Sequence, residues 1–146
     1  MANEIKTVEF FKGGNATFTV ANPAGEHYTY RINQGKKDRD GKPTDNGPYF
    51  TSLLTGPDNN ASYTYMGMFN PDSLIVYPTK ASKLNIQSKP WKVLAWAIAR
   101  VQNAWEIPEG YSIQHEGKCC ACGRKLTTPE SIDLGIGPEC AKKRGV

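Results

Sequence analysis

The sequence lacks the features of a membrane-inserted or exported protein. No apolar run approaches the ~18 residues typical of a membrane-spanning helix. The opening residues MANEIKTVEFFKGG are too polar for a secretory signal peptide. Motifs for lipid attachment are absent as well. We therefore expect a soluble protein of the cytoplasm that has no membrane partner.

The patterns of common catalytic sites are also missing. There is no Gly-x-Ser-x-Gly elbow, and the segment GIGP lacks the Lys-Ser/Thr of a phosphate-binding loop. The zinc deaminase pattern does not fit, because it needs H-x-E and P-C-x-x-C, whereas here Glu116 directly follows His115 and Lys118 precedes Cys119. The acidic residues form no obvious pair. The sequence therefore predicts a protein that is not an enzyme.

The first 118 residues contain no cysteine, and all four cysteines of the chain follow them. A secreted disulfide scaffold would distribute its cysteines through the fold that they cross-link. A redox pair of the thioredoxin kind would sit in a βαβ unit, which the strand pattern here does not contain. The clustering of Cys119, Cys120, Cys122 and Cys140 therefore favours metal binding.

The spacing of the cysteines indicates a structural zinc site. Cys119 and Cys122 form a C-x2-C pair that can converge on one ion from a tight turn, and the chain can return to it at Cys140. A tetrahedral zinc needs a fourth ligand, either Cys120 or His115. Adjacent side chains on an extended backbone point to opposite sides, which argues against Cys120. We therefore predict one zinc ion held by His115, Cys119, Cys122 and Cys140.

The residues around these cysteines resemble a known family. The chain reads H-x3-C-x2-C-G-R-x-L-T-x-P-x-S-I and then G-I-G-P-x-C over residues 115–142. This string is similar to the zinc-ribbon domain of unknown function that ends many small phage and plasmid proteins. The resemblance implies a zinc ribbon and a phage or mobile-element origin, and it implies no activity.

The chain before the cysteines is predicted to be rich in β-strands. Short runs of aromatic and β-branched residues, separated by turn residues, are typical of strands in an antiparallel sheet. These runs lie at residues 16–20, 27–32, 49–54, 63–69, 74–77 and 111–115. They predict an antiparallel sheet or a small barrel.

One segment has the periodicity of an amphipathic α-helix. Apolar residues recur at steps of three and four from Trp91 to Trp105, with Ser88 as a possible N-cap and Pro108 as a stop. This pattern predicts one long helix over residues 89–106, packed on the sheet. The predicted fold class is α+β, with a β-rich module at residues 1–110 and a zinc ribbon at residues 111–146.

The net charge of +4 permits binding to nucleic acid without requiring it. We predict a non-enzymatic accessory protein that binds nucleic acid or a nucleoprotein complex, with Tyr28, Tyr30, Tyr63 and Tyr65 offered for base stacking. The alternative is a protein-binding inhibitor of a host machine, such as an anti-CRISPR or other anti-defence protein, without nucleic-acid contact. The candidate partner-binding residues are all basic: Lys36, Lys37, Arg39, Lys42, Lys118, Arg124, Lys125, Lys142, Lys143 and Arg144.

Overall fold

The computed structural model describes residues 3–35, 47–56, 62–137, 140 and 142. Six strands form one antiparallel sheet in the order β5-β4-β3-β2-β1-β6. The strands are β1 (Asn15–Ala21), β2 (His27–Gln34), β3 (Tyr49–Leu54), β4 (Tyr63–Asn70), β5 (Ile75–Tyr77) and β6 (Ser112–His115). The sheet curls into a half-barrel and confirms the antiparallel architecture predicted from the strand runs.

One face of the sheet forms the core of the protein. Successive side chains of a strand point to opposite faces, and the pairings Phe18↔Tyr30 and Tyr30↔Leu53 align three buried side chains on the same face. A 3-10 turn at Val8–Phe10 and the residue that follows it, Phe11, add two buried rings, and the Phe10 and Phe11 rings contact Phe18 edge to face. The burial of these large rings supplies the main hydrophobic stabilisation at this end of the sheet.

Helix α1 (Lys89–Gln102) packs on this core face. Its apolar stripe is buried as predicted at Trp91, Leu94, Ile98 and Val101, and Tyr30 Oη donates a hydrogen bond of 2.6 Å to the carbonyl oxygen of Pro90. The helix is shorter than the 89–106 predicted from periodicity. It is capped by Asn103, and Ala104 takes a positive φ of 52°, so Trp105 lies beyond the helix and is 56% exposed.

A β-bulge interrupts the pairing of β3 with β4. Thr51 pairs with Gly67, but the next residue of β3, Ser52, pairs with Tyr65, so Met66 is the extra residue. Because the side-chain period of a strand is two, one extra residue moves everything beyond it to the opposite face. Phe69 therefore lies in the core, whereas Tyr63 and Tyr65 lie on the other face of the sheet.

The C-terminal segment is attached directly to this sheet. Strand β6 pairs with β1, although the sequence pattern assigned it to the second unit. After β6 come a β-bridge between Lys118 and Lys125 and a short helix, α2 (Pro129–Leu134). Thr128 caps α2 by accepting a hydrogen bond from the Ser131 backbone N–H. These described elements do not establish a separate zinc ribbon.

No helix in the described ranges combines the length and the apolar character required for crossing a membrane.

Candidate functional site

Three of the four cysteines, Cys119, Cys120 and Cys122, lie in a tight turn, which we call the cysteine hairpin (residues 118–125). The Cys119 N–H donates to the Arg124 carbonyl at 2.8 Å, and the Gly123 N–H donates to the Cys119 carbonyl at 2.9 Å. Gly123 closes the turn at φ +78°, a backbone conformation that favours glycine. The sequence C-x2-C-G therefore dictates a local loop in which Cys119 and Cys122 face the same point.

Three cysteines form one group. The sulfur atoms of Cys119, Cys122 and Cys140 all lie within 4.8 Å of one another, which is close enough to share a single metal ion. We call these three residues the cysteine cluster. Cys120 is buried but lies outside the cluster, with its backbone bonded to Asn15 and Gly135. The three cysteines predicted as ligands are thus brought together, and the one left out of the predicted set is kept apart.

Backbone hydrogen bonds prepare Cys119 to act as a thiolate. Burial by itself would raise the pKa of the Cys119 thiol, but N–H groups of Gly137, Cys122 and Ala121 donate to the sulfur and lower its pKa to about 7. The donors at Ala121 and Cys122 lie 3.4 and 3.5 Å from Sγ. Oriented N–H groups that stabilise a thiolate also suit a metal-bound sulfur.

The pKa of the Cys140 thiol is shifted in the opposite direction from that of Cys119. Burial, together with hydrogen bonds to the sulfurs of Cys119 and Cys122, raises the pKa of the Cys140 thiol to about 11. Three thiolates so close together would repel one another strongly. A bound divalent cation removes this obstacle, because metal binding displaces the thiol protons. The arrangement is therefore suited to hold a metal ion.

The structure does not bring His115 into the cysteine cluster. Its Nε2 lies 2.6 Å from the Ile132 carbonyl oxygen, and its Nδ1 accepts from the Gly117 N–H at 2.9 Å. An imidazole that accepts at Nδ1 and donates from Nε2 is neutral and has no lone pair left for a metal. Burial lowers the pKa of this imidazole, which also favours the neutral ring. His115 thus connects β6 to α2, instead of completing the predicted Cys3His set.

A cavity of about 380 Å³ opens beside the cysteine cluster. Its lining includes all three cysteines together with Arg124, Lys125 and the hydroxyl residues Thr127, Thr128 and Ser131. Both basic residues are exposed and were among the predicted partner-binding positions. Lys118 and Lys142 are exposed as well, and Lys118 forms a β-bridge with Lys125. The predictions at Lys36, Lys37, Arg39, Lys42, Lys143 and Arg144 lie outside the described residues.

The face of the sheet opposite α1 carries a second candidate site, which we call the aromatic face. Phe50 and Tyr65 approach with ring centroids 6.3 Å apart, and the Arg31 guanidinium lies 4.0 Å above the Tyr63 ring. Tyr77 of β5 pairs with Met68 of β4. The aromatic face comprises Arg31, Phe50, Tyr63, Tyr65, Met68 and Tyr77.

Only half of the tyrosines predicted for base stacking lie on this face. Tyr30 is fully buried and Tyr28 is half-buried beside α1, because both occupy core-facing positions of β2. The sequence-based prediction also missed Phe50 and Tyr77, which are 38% and 40% exposed. Thr51 and Leu53 of β3 are buried, and simple alternation along the strand places Phe50 on the opposite face. The exposure of Phe50 could therefore have been predicted from the sequence.

Comparison with known proteins gives one match. The model of a family described as a family of unknown function (DUF6011) matches residues 112–145, less than a quarter of the chain. The matched part holds β6, the cysteine hairpin, α2 and Cys140. No curated protein and no solved structure matches the chain. The match therefore concerns the cysteine-containing segment and supplies no activity.

Proposed function

We propose that this protein is a non-enzymatic accessory factor that binds single-stranded nucleic acid on its aromatic face and uses a zinc ion to stabilise its C-terminal segment. The observation that carries the proposal is the arrangement of Phe50, Tyr65 and Tyr77 as exposed or half-exposed rings on neighbouring strands. Bases of a single strand stack on such rings, and each stacked base contributes about 1–3 kcal/mol.

The size of the face suits a short stretch of single strand. Adjacent strands of a sheet lie about 4.8 Å apart, so rings on β3, β4 and β5 form a row across the sheet. Arg31 at one end of the row already lies over an aromatic ring, and a guanidinium stacks on a base in the same way. A duplex hides its base faces, so the row favours unpaired strands.

Positive charge borders the aromatic face. The chain between Asp72 and Glu106 contains no acidic residue and five basic ones. Two of these, Lys80 and Lys83, are exposed in the loop after β5, and this loop contacts β4, since the Lys83 N–H donates to the Tyr65 carbonyl at 3.1 Å. A strand stacked on the rings would place its phosphates within reach of these lysines. Such contacts make the affinity dependent on salt.

The test is fluorescence anisotropy with labelled oligo-dT, oligo-U and a duplex of equal length. We expect the single strands to bind more tightly than the duplex, with affinity falling as salt rises. Tyr77→Ala should weaken single-strand binding at least fivefold, which corresponds to about 1 kcal/mol of stacking. No binding of either single strand at low salt would overturn the proposal.

Tyr111→Ala is a matched control for this experiment. Tyr111 is 42% exposed, close to the 40% of Tyr77, but its ring lies against Trp96 of α1. Its removal should leave the affinity unchanged. Equal losses in the two variants would show that the aromatic face is not the binding surface.

We assign the metal as zinc because thiolate-rich tetrahedral sites without redox chemistry are typical of structural zinc. Elemental analysis of the purified chain should find one zinc per molecule. Cys140→Ser should lose the metal, whereas Cys120→Ser should keep it, because Cys120 lies outside the cysteine cluster. Retention of zinc by the Cys140 variant would contradict the assigned ligands.

A second candidate function is binding to a host protein, in keeping with the phage origin implied by the sequence motif. An exposed patch near the end of α1 favours it. Arg100 lies 5.2 Å from the Trp96 ring and 5.8 Å from the exposed Trp105 ring, and Tyr111 lies beside Trp96. Tryptophan, tyrosine and arginine are the residues most enriched in binding hot spots.

Site-specific photo-crosslinking distinguishes this second function. A crosslinking side chain at position 105 should yield one discrete host adduct that Arg100→Ala removes. The same side chain at position 77 should yield none. Identical products from both positions, or no product at position 105, would count against a host-protein partner at this patch.

A further inference from the structure

We propose that the metal ion of the cysteine cluster takes its fourth ligand from outside the chain, and that this ligand is a thiolate carrying a second negative charge. The inference rests on the proposed zinc centre. It assigns a small-molecule or peptide thiol as the ligand of the cavity beside Cys119, Cys122 and Cys140.

The first step is the ligand count. Within residues 3–35, 47–56, 62–137, 140 and 142, the three cysteines are the only histidine, cysteine or acidic side chains gathered there. A tetrahedral zinc needs four donors. Three protein ligands and one exchangeable ligand is the arrangement of open zinc sites, whereas four protein ligands close the site. The described residues form the open arrangement.

The second step is the commitment of His115. Its two ring nitrogens are both bonded to backbone groups, at 2.6 Å to Ile132 and 2.9 Å to Gly117. Turning the ring toward the sulfurs would break both bonds and leave a partly buried carbonyl and a partly buried N–H without these partners. Phe10 also stacks on the ring, with centroids 5.7 Å apart. His115, the histidine nearest to the cysteines in the sequence, is thus held by contacts that occupy both of its ring nitrogens.

The third step is the chemistry of the cavity. Its 380 Å³ exceeds the roughly 30 Å³ share of one water molecule several times, so a molecule larger than water fits. Three thiolates and Zn²⁺ sum to a charge of −1, and a fourth thiolate makes −2. Arg124 and Lys125 line the same cavity and offset this charge. A carboxylate on the incoming thiol would pair with one of them.

Cobalt substitution tests the inference directly, because Co²⁺ reports its ligands by absorption. The full chain is loaded with Co²⁺ and titrated with mercaptoacetate, mercaptoethanol or imidazole. Four Co–S bonds in place of three should raise the thiolate-to-cobalt charge-transfer intensity by about one third. Mercaptoacetate should bind about two- to fivefold more tightly than mercaptoethanol, the range of an exposed ion pair.

Variants show whether the basic residues of the cavity cause the tighter binding of mercaptoacetate. Arg124→Gln with Lys125→Gln should remove the advantage of mercaptoacetate, whereas Lys92→Gln on α1, an exposed lysine outside the cavity lining, should retain it. Loss of the advantage in the Lys92 variant as well would show that overall charge, not the cavity, selects the ligand.

Two further variants decide whether the chain supplies the fourth ligand itself. Glu139 lies beside Cys140 in the sequence and outside the described residues. If Glu139 or His115 occupied the fourth position, thiols would change the spectrum only after Glu139→Gln or His115→Gln, and that result would overturn the inference. A spectrum that no thiol changes in any variant would also overturn it. Failure of the chain to bind Co²⁺ or Zn²⁺ at all would instead refute the metal centre.

Discussion

Replacing His115 with alanine is expected to destabilise the folded protein without removing its metal. The imidazole bridges two backbone segments, the Ile132 carbonyl of α2 and the Gly117 N–H that precedes the cysteine hairpin. His115 is 4% exposed, so removal of its side chain leaves a cavity beside two partly buried backbone groups. The variant therefore separates a structural role for His115 from a role as metal ligand.

The magnitude follows from the contacts. A fully buried backbone group left without its partner costs about 1–3 kcal/mol, and because these two groups are only partly buried, entry of water lowers the sum. The lost stack on Phe10 adds a cavity contribution. A total of about 2–4 kcal/mol is expected, which shifts the urea midpoint by about 1–2 M at a slope near 2 kcal/mol/M.

Urea unfolding of the zinc-loaded full chain measures the loss of stability, and elemental analysis measures the zinc that the variant retains. His27→Ala is the matched control, because His27 is exposed and its Nδ1 lies a long 3.5 Å from the Gly25 carbonyl oxygen. The His27 variant should change the free energy of unfolding by less than about 0.5 kcal/mol. If His115→Ala lost its zinc while the control kept it, His115 would be a metal ligand and its purely structural role would be refuted.

The pH dependence of stability should carry the signature of His115. Burial lowers the pKa of this imidazole, so its contribution to the free energy of unfolding is complete above about pH 6.5 and declines as the pH falls below that value. The difference in stability between the protein and its His115→Gln variant, measured at saturating zinc, should therefore shrink on acidification. A difference that stays constant with pH would contradict this role of His115. Gly135→Ala should destabilise the fold by about 2–3 kcal/mol, because a Cβ at φ +72° would lie 2.7 Å from the Phe10 ring. Gly25→Ala, at φ +86° with open space around it, should cost only about 1 kcal/mol in the same thermal unfolding assay, and equal costs would exclude the Phe10 contact as the cause. Thr51→Val should raise the free energy of unfolding by about 1 kcal/mol, because the fully buried Thr51 hydroxyl has no hydrogen-bond partner in the described part of the chain, and a loss of stability would show that it has one.

Strand and helix positions were readable from the sequence because they depend on local periodicity. The predicted run at residues 49–54 coincides with β3, and each of the others differs from its observed strand by one or two residues in all. The end of α1 was not readable. Trp105 continues the apolar period of the helix, but the backbone turns at Ala104 and leaves the ring exposed.

The metal site was predictable in part for the same reason. The cysteine spacing fixes a local loop, and this brought Cys119, Cys122 and Cys140 together as expected. His115 was a reasonable candidate by distance along the chain, but its partners, Ile132 and Gly117, are set by tertiary packing that spacing does not encode. The prediction that the protein is not an enzyme rests on the missing catalytic motifs.

The extra residue Met66 has a consequence for how this protein can evolve. Deleting this one residue would restore simple alternation along β4 while leaving Tyr65 opposite Ser52 and Tyr63 opposite Leu54, so both rings would stay on the aromatic face. The pairing of the other strands would not need to change. Related chains could therefore lose the bulge through a single-codon deletion and still inherit the same aromatic face. Sequence comparison within such a lineage should allow for a length change between Tyr65 and Gly67 before deciding which tyrosines correspond.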